Sequence, residues 1–245
     1  MKLRPLAYCV LATVSSTSAA HDFWIQPLQW QNSGEVAVTL QVGHGNDRQR
    51  SPVEVSRIVL VKSILADGQR VDLHPRLNFG ETKSDFSTGA SGGPPVMVAL
   101  ATDANAESHL DPERFKFHLQ GEGLAEAIAW RAEHNLSNSE GSENHGRVAK
   151  MLLAAPADRS VALKPLGLDL EIVPLADPYA AGVERLPVQA LFEGSPLNGA
   201  TIKLYDLSDD IAPKAVCLTD LEGKCGLQFS KHGSWLESLL RLRLR

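Results

Sequence analysis

Glu35-Val36-Ala37-Val38-Thr39-Leu40-Gln41-Val42 is the stretch that decides the fold class. Val36, Val38, Leu40 and Val42 fall on every second position, with small or polar residues between them. A period of two marks a strand with one buried face, whereas a helix repeats its apolar residues every three to four positions. The run ends in Gly43-His44-Gly45-Asn46-Asp47, a glycine-rich turn that presents a histidine.

The same signature recurs on both sides. Phe23-Trp24-Ile25 with Pro27-Leu28 reads as an extended edge strand, and Val55 to Lys62, Arg70 to Leu73 and Val96 to Ala101 read as strands. Residues 79–95, rich in Gly, Ser, Thr and Pro, read as loops. Asp111-Pro112-Glu113-Arg114-Phe115 starts a helix, with aspartate at the N-cap and proline at the first helical position. Leu124 to Arg131 also has helical character, Asn135 to His145 reads as a polar loop, and Arg147 to Leu153 is a strand or short helix that brings the chain back. A boundary follows near Pro156 to Pro165. Beyond it, Leu168–Val173, Leu186–Phe192, Ala200–Tyr205, Ala215–Leu218 and Cys225–Phe229 are short strands between Gly, Pro and Asn turns, the spacing of a small immunoglobulin-like sandwich. Leu186–Phe192 is expected to pair with Ala200–Tyr205 as a hairpin, and Ala215–Leu218 with Cys225–Phe229. The fold class is therefore mainly β, with a β-rich domain and short helix over residues 21–165 and an immunoglobulin-like sandwich over 166–245.

Residues 1–20 have the form of a secretory signal: Lys2 and Arg4, then the apolar run Leu6 to Val14, then small residues ending in Ala19-Ala20. The apolar run is too short to span a bilayer. Cleavage after Ala20 makes the product periplasmic or secreted, with His21 as its first residue. The chain of 245 residues has a formal charge of -5, and losing Lys2 and Arg4 takes it to about -7. Such a protein, with no basic stripe, is a poor nucleic-acid partner. Removal of the signal also removes Cys9. Cys217 and Cys225 then form an even pair in an exported protein, most simply a disulfide across the turn Asp220 to Gly223, with a two-thiolate metal site as the weaker alternative.

His21-Asp22-Phe23-Trp24 after a signal is followed by Arg147-Val148-Ala149-Lys150, by Leu166 to Leu175 with Asp177-Pro178-Tyr179, and by Leu186-Pro187-Val188 and Phe192 to Leu197. This ordered series resembles an exported bacterial family of uncharacterised proteins associated with nickel or cobalt uptake. The resemblance spans the mature chain to about Trp235 and implies a periplasmic two-part β protein that handles a transition metal. Proteins of that pattern continue after Trp235 with at least one further strand. Here Leu236 to Arg245 alternates leucine and arginine instead, which reads as a truncated or frame-altered end of the sandwich, with a basic amphipathic tail as the alternative.

Eight histidines are present, and none has the i, i+4 spacing of a helical metal site. A metal site must therefore be assembled from distant segments. His21 offers an α-amine and an imidazole, a two-nitrogen chelate whose amine titrates near neutrality. His44 lies in a turn open to close approach, and His134 and His145 flank the polar loop with Glu133, Glu140 and Glu143. His21, His44, His134 and His145 are the candidate ligands for a nickel, cobalt or copper ion. No phosphate-binding glycine loop occurs, and Asp209-Asp210 reads as a solvent-facing pair in a turn. The expectation is a non-enzymatic periplasmic protein that binds nickel or cobalt and passes it to a membrane transporter. A copper-dependent oxidase built on the N-terminal histidine and a metal-free immunoglobulin-like binding module are the alternatives.

Overall fold

The computed structural model describes residues 22–29, 34–50, 53–79, 84–88, 93–153, 157–230 and 233–243. The signal segment, His21 and His232 lie outside the described residues. The chain is mainly β, with antiparallel sheets. Its first part carries β1 (Phe23–Pro27), β2 (Ala37–Val42), β3 (Gln49–Arg50), β4 (Ile58–Ile64), β5 (Arg70–Asp72), β6 (Phe86–Ser87), β7 (Met97–Thr102) and β8 (Ala106–Leu110). Then come α1 (Pro112–Gly121), α2 (Ala125–Glu133), β9 (Gly141–His145) and β10 (Val148–Leu152). The second part holds β11 (Leu170–Pro174), β12 (Arg185–Phe192), β13 (Ser195–Pro196), β14 (Thr201–Asp206), β15 (Ala215–Leu218), β16 (Lys224–Gln228) and β17 (Trp235–Leu239).

The alternating run does become a half-buried strand. β2 is flanked by β1 on one side and by β3 and β6 on the other. This sheet packs on a second one, ordered β10-β7-β4-β5. Val38 and Leu40 of β2, Phe86 of β6, Val61 of β4 and Val98 and Leu100 of β7 form the core between them. Every residue of β7 is buried, because the segment before β11 lays Ala162 and Leu168 on the other face of its sheet. That is why β7 reads as a continuous apolar run rather than an alternating one. Asp85 is fully buried, but its carboxylate accepts from Leu40 N at 2.7 Å and from Arg50 Nη2 at 2.6 Å, which satisfies the charge.

β7 and β10 form one arm of a long ribbon that continues as β8 and β9 and is tipped by α1 and α2. The helix start is as read, with the Asp111 carboxylate accepting from Arg114 N at 3.0 Å. The stretch read as helical over Leu124 to Arg131 is α2, so the helical element is a pair. One correction falls here. The stretch read as a polar loop up to His145 instead ends in β9, whose side chains are polar because this thin ribbon has little core to cover.

In the second part, β11, β12, β13 and β16 form one sheet and β15, β14 and β17 the other. Leu186, Val188 and Ala190 of β12, Ile202 and Leu204 of β14 and Leu227 of β16 fill the space between. Neither expected hairpin forms. The turn at Glu193-Gly194, both with positive φ, folds β13 back onto β12, so Ala200–Tyr205 is released to the opposite sheet as β14. β15 pairs with β14 and β16 with β12, so the turn between them crosses from sheet to sheet. Gly223 makes that crossing tight, since a Cβ there would lie 2.5 Å from Ala190 O. The disulfide Cys217–Cys225 is present and joins the two sheets at one lateral edge rather than two arms of a hairpin. Leu236 to Leu239 belong to β17, which pairs with β14, and Leu242 packs against the cluster of Phe115, Leu119 and Ala127.

The bridge closes a short loop of sequence separation 8, for which loop entropy gives about 2 kcal/mol. Replacing both Cys217 and Cys225 by alanine should lower the free energy of unfolding, measured by urea denaturation, by that amount. Reduction of the unmodified protein should give the same loss, and reduction of the double variant should give none.

Candidate functional site

The pairing of β1 with β2 builds the first cluster. Phe23 faces Val42 in the antiparallel register. One step further, Gly43 N donates to Asp22 O at 3.2 Å, and the next position on the β2 side is His44. Gly43 has φ +91°, and a Cβ there would sit 2.4 Å from Asp47 O, so only glycine allows the chain to curl this tightly. The curl points His44 back at the head of β1, with Nε2 2.7 Å from Asp22 Oδ2. Its ring lies on Tyr205 of β14, centroids 4.5 Å apart. Nδ1 is buried without a hydrogen-bond partner, and the nearest charged oxygen, Asp210 Oδ2, is 3.8 Å away.

Asp210 is the residue the sequence reading missed. Asp209 is exposed as expected, but Asp210 is buried and accepts from Gly45 N at 2.8 Å and Arg48 Nη2 at 2.5 Å. Arg48 also donates to Leu207 O at 2.8 Å and lies over the Trp24 ring. Burial pushes the Asp210 carboxyl up, but the hydrogen bonds from Arg48 and Gly45 N together with the Arg48 charge outweigh it and hold the carboxyl below the usual range. Ser238 of β17 donates to Asp22. Burial and the carboxylates of Asp22, Glu122 and Asp210 push the Tyr205 phenol well above its ordinary range, so it stays protonated. The cluster is thus a polar joint between the two parts, placed at the head of β1.

The other candidate ligands lie elsewhere. His134 caps α2, hydrogen-bonds Trp130 O through Nδ1 at 2.8 Å and stacks on the Trp130 ring. No contact joins it to His145 or His44 among the described residues. His145 is on β9, with Nδ1 buried and unpartnered, and its pKa is lowered by burial and then by Arg147. Two residues away along the same strand face, Glu143 Oε2 is 3.8 Å from Nε2 of His118, an α1 histidine with both ring nitrogens unpartnered. His118 carried no sequence signal beyond its type. His21 lies outside the described residues. Among those described, no three His, Cys, Asp or Glu side chains are arranged to hold a metal ion, and no helix is long and apolar enough to cross a membrane.

A second feature is a cleft of about 1540 Å³ between the two parts. Its walls include Trp130 and His145 from the helix-tipped ribbon, Lys150 of β10, Glu171 of β11, and Trp235 and Glu237 of β17. Glu171 accepts from Lys150 Nζ at 2.9 Å. Burial pulls Lys150 down, partly offset by Glu171, while burial pushes Glu237 up to about 7, against the pull of Lys150. The Trp235 Nε1 donor is buried and unpartnered.

A two-part antiparallel β protein with these sites is the class the geometry defines. Over residues 18–240 the chain matches the model of a family described as a domain of unknown function (DUF4198), and it belongs to that family. That description names no metal and no activity. No curated protein and no solved structure matches the chain.

A carboxyl raised in the fold binds more protons folded than unfolded across the interval between its two pKa values. Stability contributed by Glu237 is therefore present at about pH 4.5 and is lost as the pH rises through about 7. After allowance for solvent in the cleft, the loss is about 2 kcal/mol by pH 8. Glu237→Gln should flatten this part of the stability–pH curve and be the more stable protein at pH 8, as measured by urea unfolding across the range.

Proposed function

We propose that this is an exported, non-enzymatic protein that binds a divalent transition metal at the head of β1 and assists its uptake. One observation supports this reading above the rest: His44 Nε2 lies 2.7 Å from the carboxylate of Asp22, the first described residue of the chain. A mature chain beginning at His21 would carry an α-amine and a second imidazole on the residue joined directly to Asp22. Nitrogen donors with one carboxylate suit nickel, cobalt, copper or zinc rather than magnesium or calcium. The described residues supply a carboxylate and one imidazole in contact, which fits such an ion only when residue 21 completes the set.

In this reading the protein's own groups do three things. Tyr205 and the Gly43–Gly45 turn hold the His44 ring, so little rotamer freedom is lost on binding. Asp22 orients Nε2 in the resting protein and becomes an oxygen donor when an ion takes that nitrogen. Arg48 and Asp210 neutralise each other, so the joint adds no charge that repels a cation. The nickel or cobalt preference rests on the family resemblance, since copper outcompetes both at nitrogen-rich sites. Release to a membrane transporter in the periplasm completes the proposal. His134 has no part in it, and His145 none through any contact among the described residues.

The test is calorimetric titration of the mature protein, its N-terminus fixed by mass spectrometry, with nickel, cobalt and copper. An alanine added before His21, and separately His44→Ala, should each weaken binding about tenfold or more. Unchanged affinity in the extended protein would sink the chelate. Turnover with copper and a reductant would instead favour the oxidase, and no affinity for any of the three metals the metal-free module.

A further inference from the structure

The two lateral edges of the second sandwich are unlike. At one, β15 and β16 are joined by the disulfide. At the other, β11 and β17 are end strands, each with a single neighbour among the described residues, β12 and β14 respectively. Across this second edge lies β10, whose Lys150 donates to Glu171 on β11, and Lys150 and Glu237 of β17 both line the cleft. Glu237 is the register partner of Leu204, so its side chain turns toward the face that carries the sandwich core. The cleft enters here. Leu186, Leu204, Leu227 and Phe229, all lining it, belong to the interior of the sandwich or pack against it.

We propose that an extended segment of a partner polypeptide docks in this cleft, adding to the open edge of β17 with apolar side chains turned into the sandwich and a lysine or arginine against Glu237. Three features of the cleft select this occupant. The first is the strand edge itself: an end strand offers backbone donors and acceptors at alternate residues, which an added strand satisfies while its alternate side chains enter pockets. β17 has five residues, about 17 Å of edge. The second is size, since about 1540 Å³ exceeds the roughly 300–1,000 Å³ of small-ligand sites. The cleft also reaches from Trp130 on α2 to Tyr179 beyond β11. The third is charge. Lys150 is already held at 2.9 Å by Glu171, while Glu237, which also lines the cleft, makes no ion pair among the described residues, so its carboxyl is left for a cation from outside. The unpartnered Trp235 Nε1 offers one more donor to the backbone of an incoming strand.

The test uses the mature protein and a capped hexapeptide alternating valine and threonine with one central lysine, followed by tryptophan fluorescence. Binding is expected, and replacing the peptide lysine by glutamate should weaken it about tenfold. Glu237→Gln should weaken the lysine peptide by a similar factor, and two prolines in the peptide should abolish binding. Should Glu237→Gln fail to fold by circular dichroism, the lysine-to-glutamate comparison on the unmodified protein carries the same information. No binding at about 1 mM peptide, equal binding of the proline peptide, or full competition by butylamine would overturn the proposal, the last by marking a small-cation site. Peptide binding that merely tracks self-association would mark a second copy as the occupant and overturn it too. None of these measurements touches His21 or His44, so the outcome is independent of the metal reading.

Discussion

The carboxylate of Glu171 gathers donors from separate parts of the chain: Leu166 N at 2.8 Å, Gly167 N at 3.1 Å, Leu168 N at 3.3 Å and Lys150 Nζ at 2.9 Å. Three of these fix the segment that enters the second part, and the fourth ties that segment to the first. A buried ion pair adds little net stability compared with an apolar pair of the same size, yet losing one partner is costly, so its effect is on geometry. Here it fixes how the open edge of the second sandwich faces β10. The cleft, the surplus acid Glu237 and the joint around Asp22 all inherit their positions from that arrangement.

The histidines show how little residue type alone says about a site. His74 is held by Asp72 at 2.7 Å, His109 lies between Glu107 and Glu140, and His134 is bonded to its own helix. Local partners account for these three. His44, His118 and His145 are, among the described residues, the ones with a buried ring nitrogen that has no hydrogen-bond partner. A buried imidazole nitrogen left unmatched costs free energy, and such a cost persists where the surrounding packing imposes it, as the Gly43 curl does on His44.

Much of the fold was legible because local chemistry determines it. The alternation in β2, the Asp111 cap of α1 and the turn residues of the second part each specify their own element within a few positions. Strand partners were not legible, since pairing depends on where the chain goes next. The two-residue turn at Glu193-Gly194 uses up the free side of β12 with β13 and sends the next strand across the sandwich. β9 was read as loop because a ribbon with no sheet behind it has no need of apolar residues. Of the candidate site, His44 could be named from its glycine-flanked turn, while Asp210, more than 160 residues away along the chain, could not. Its neighbour Asp209 is exposed, and nothing local separates the two carboxylates.

The disulfide also divides the second sandwich by how its edges close. The bridged edge joins cysteines 8 residues apart, so chain entropy hardly opposes its formation. The opposite edge brings β11 and β17 together from far apart in the sequence, with no covalent tie between them. The sandwich therefore has a hinge side and a latch side, and local opening should begin at the latch. Amide protons of β17 should exchange with solvent before those of β15 and β16, through excursions that leave the bridged side folded.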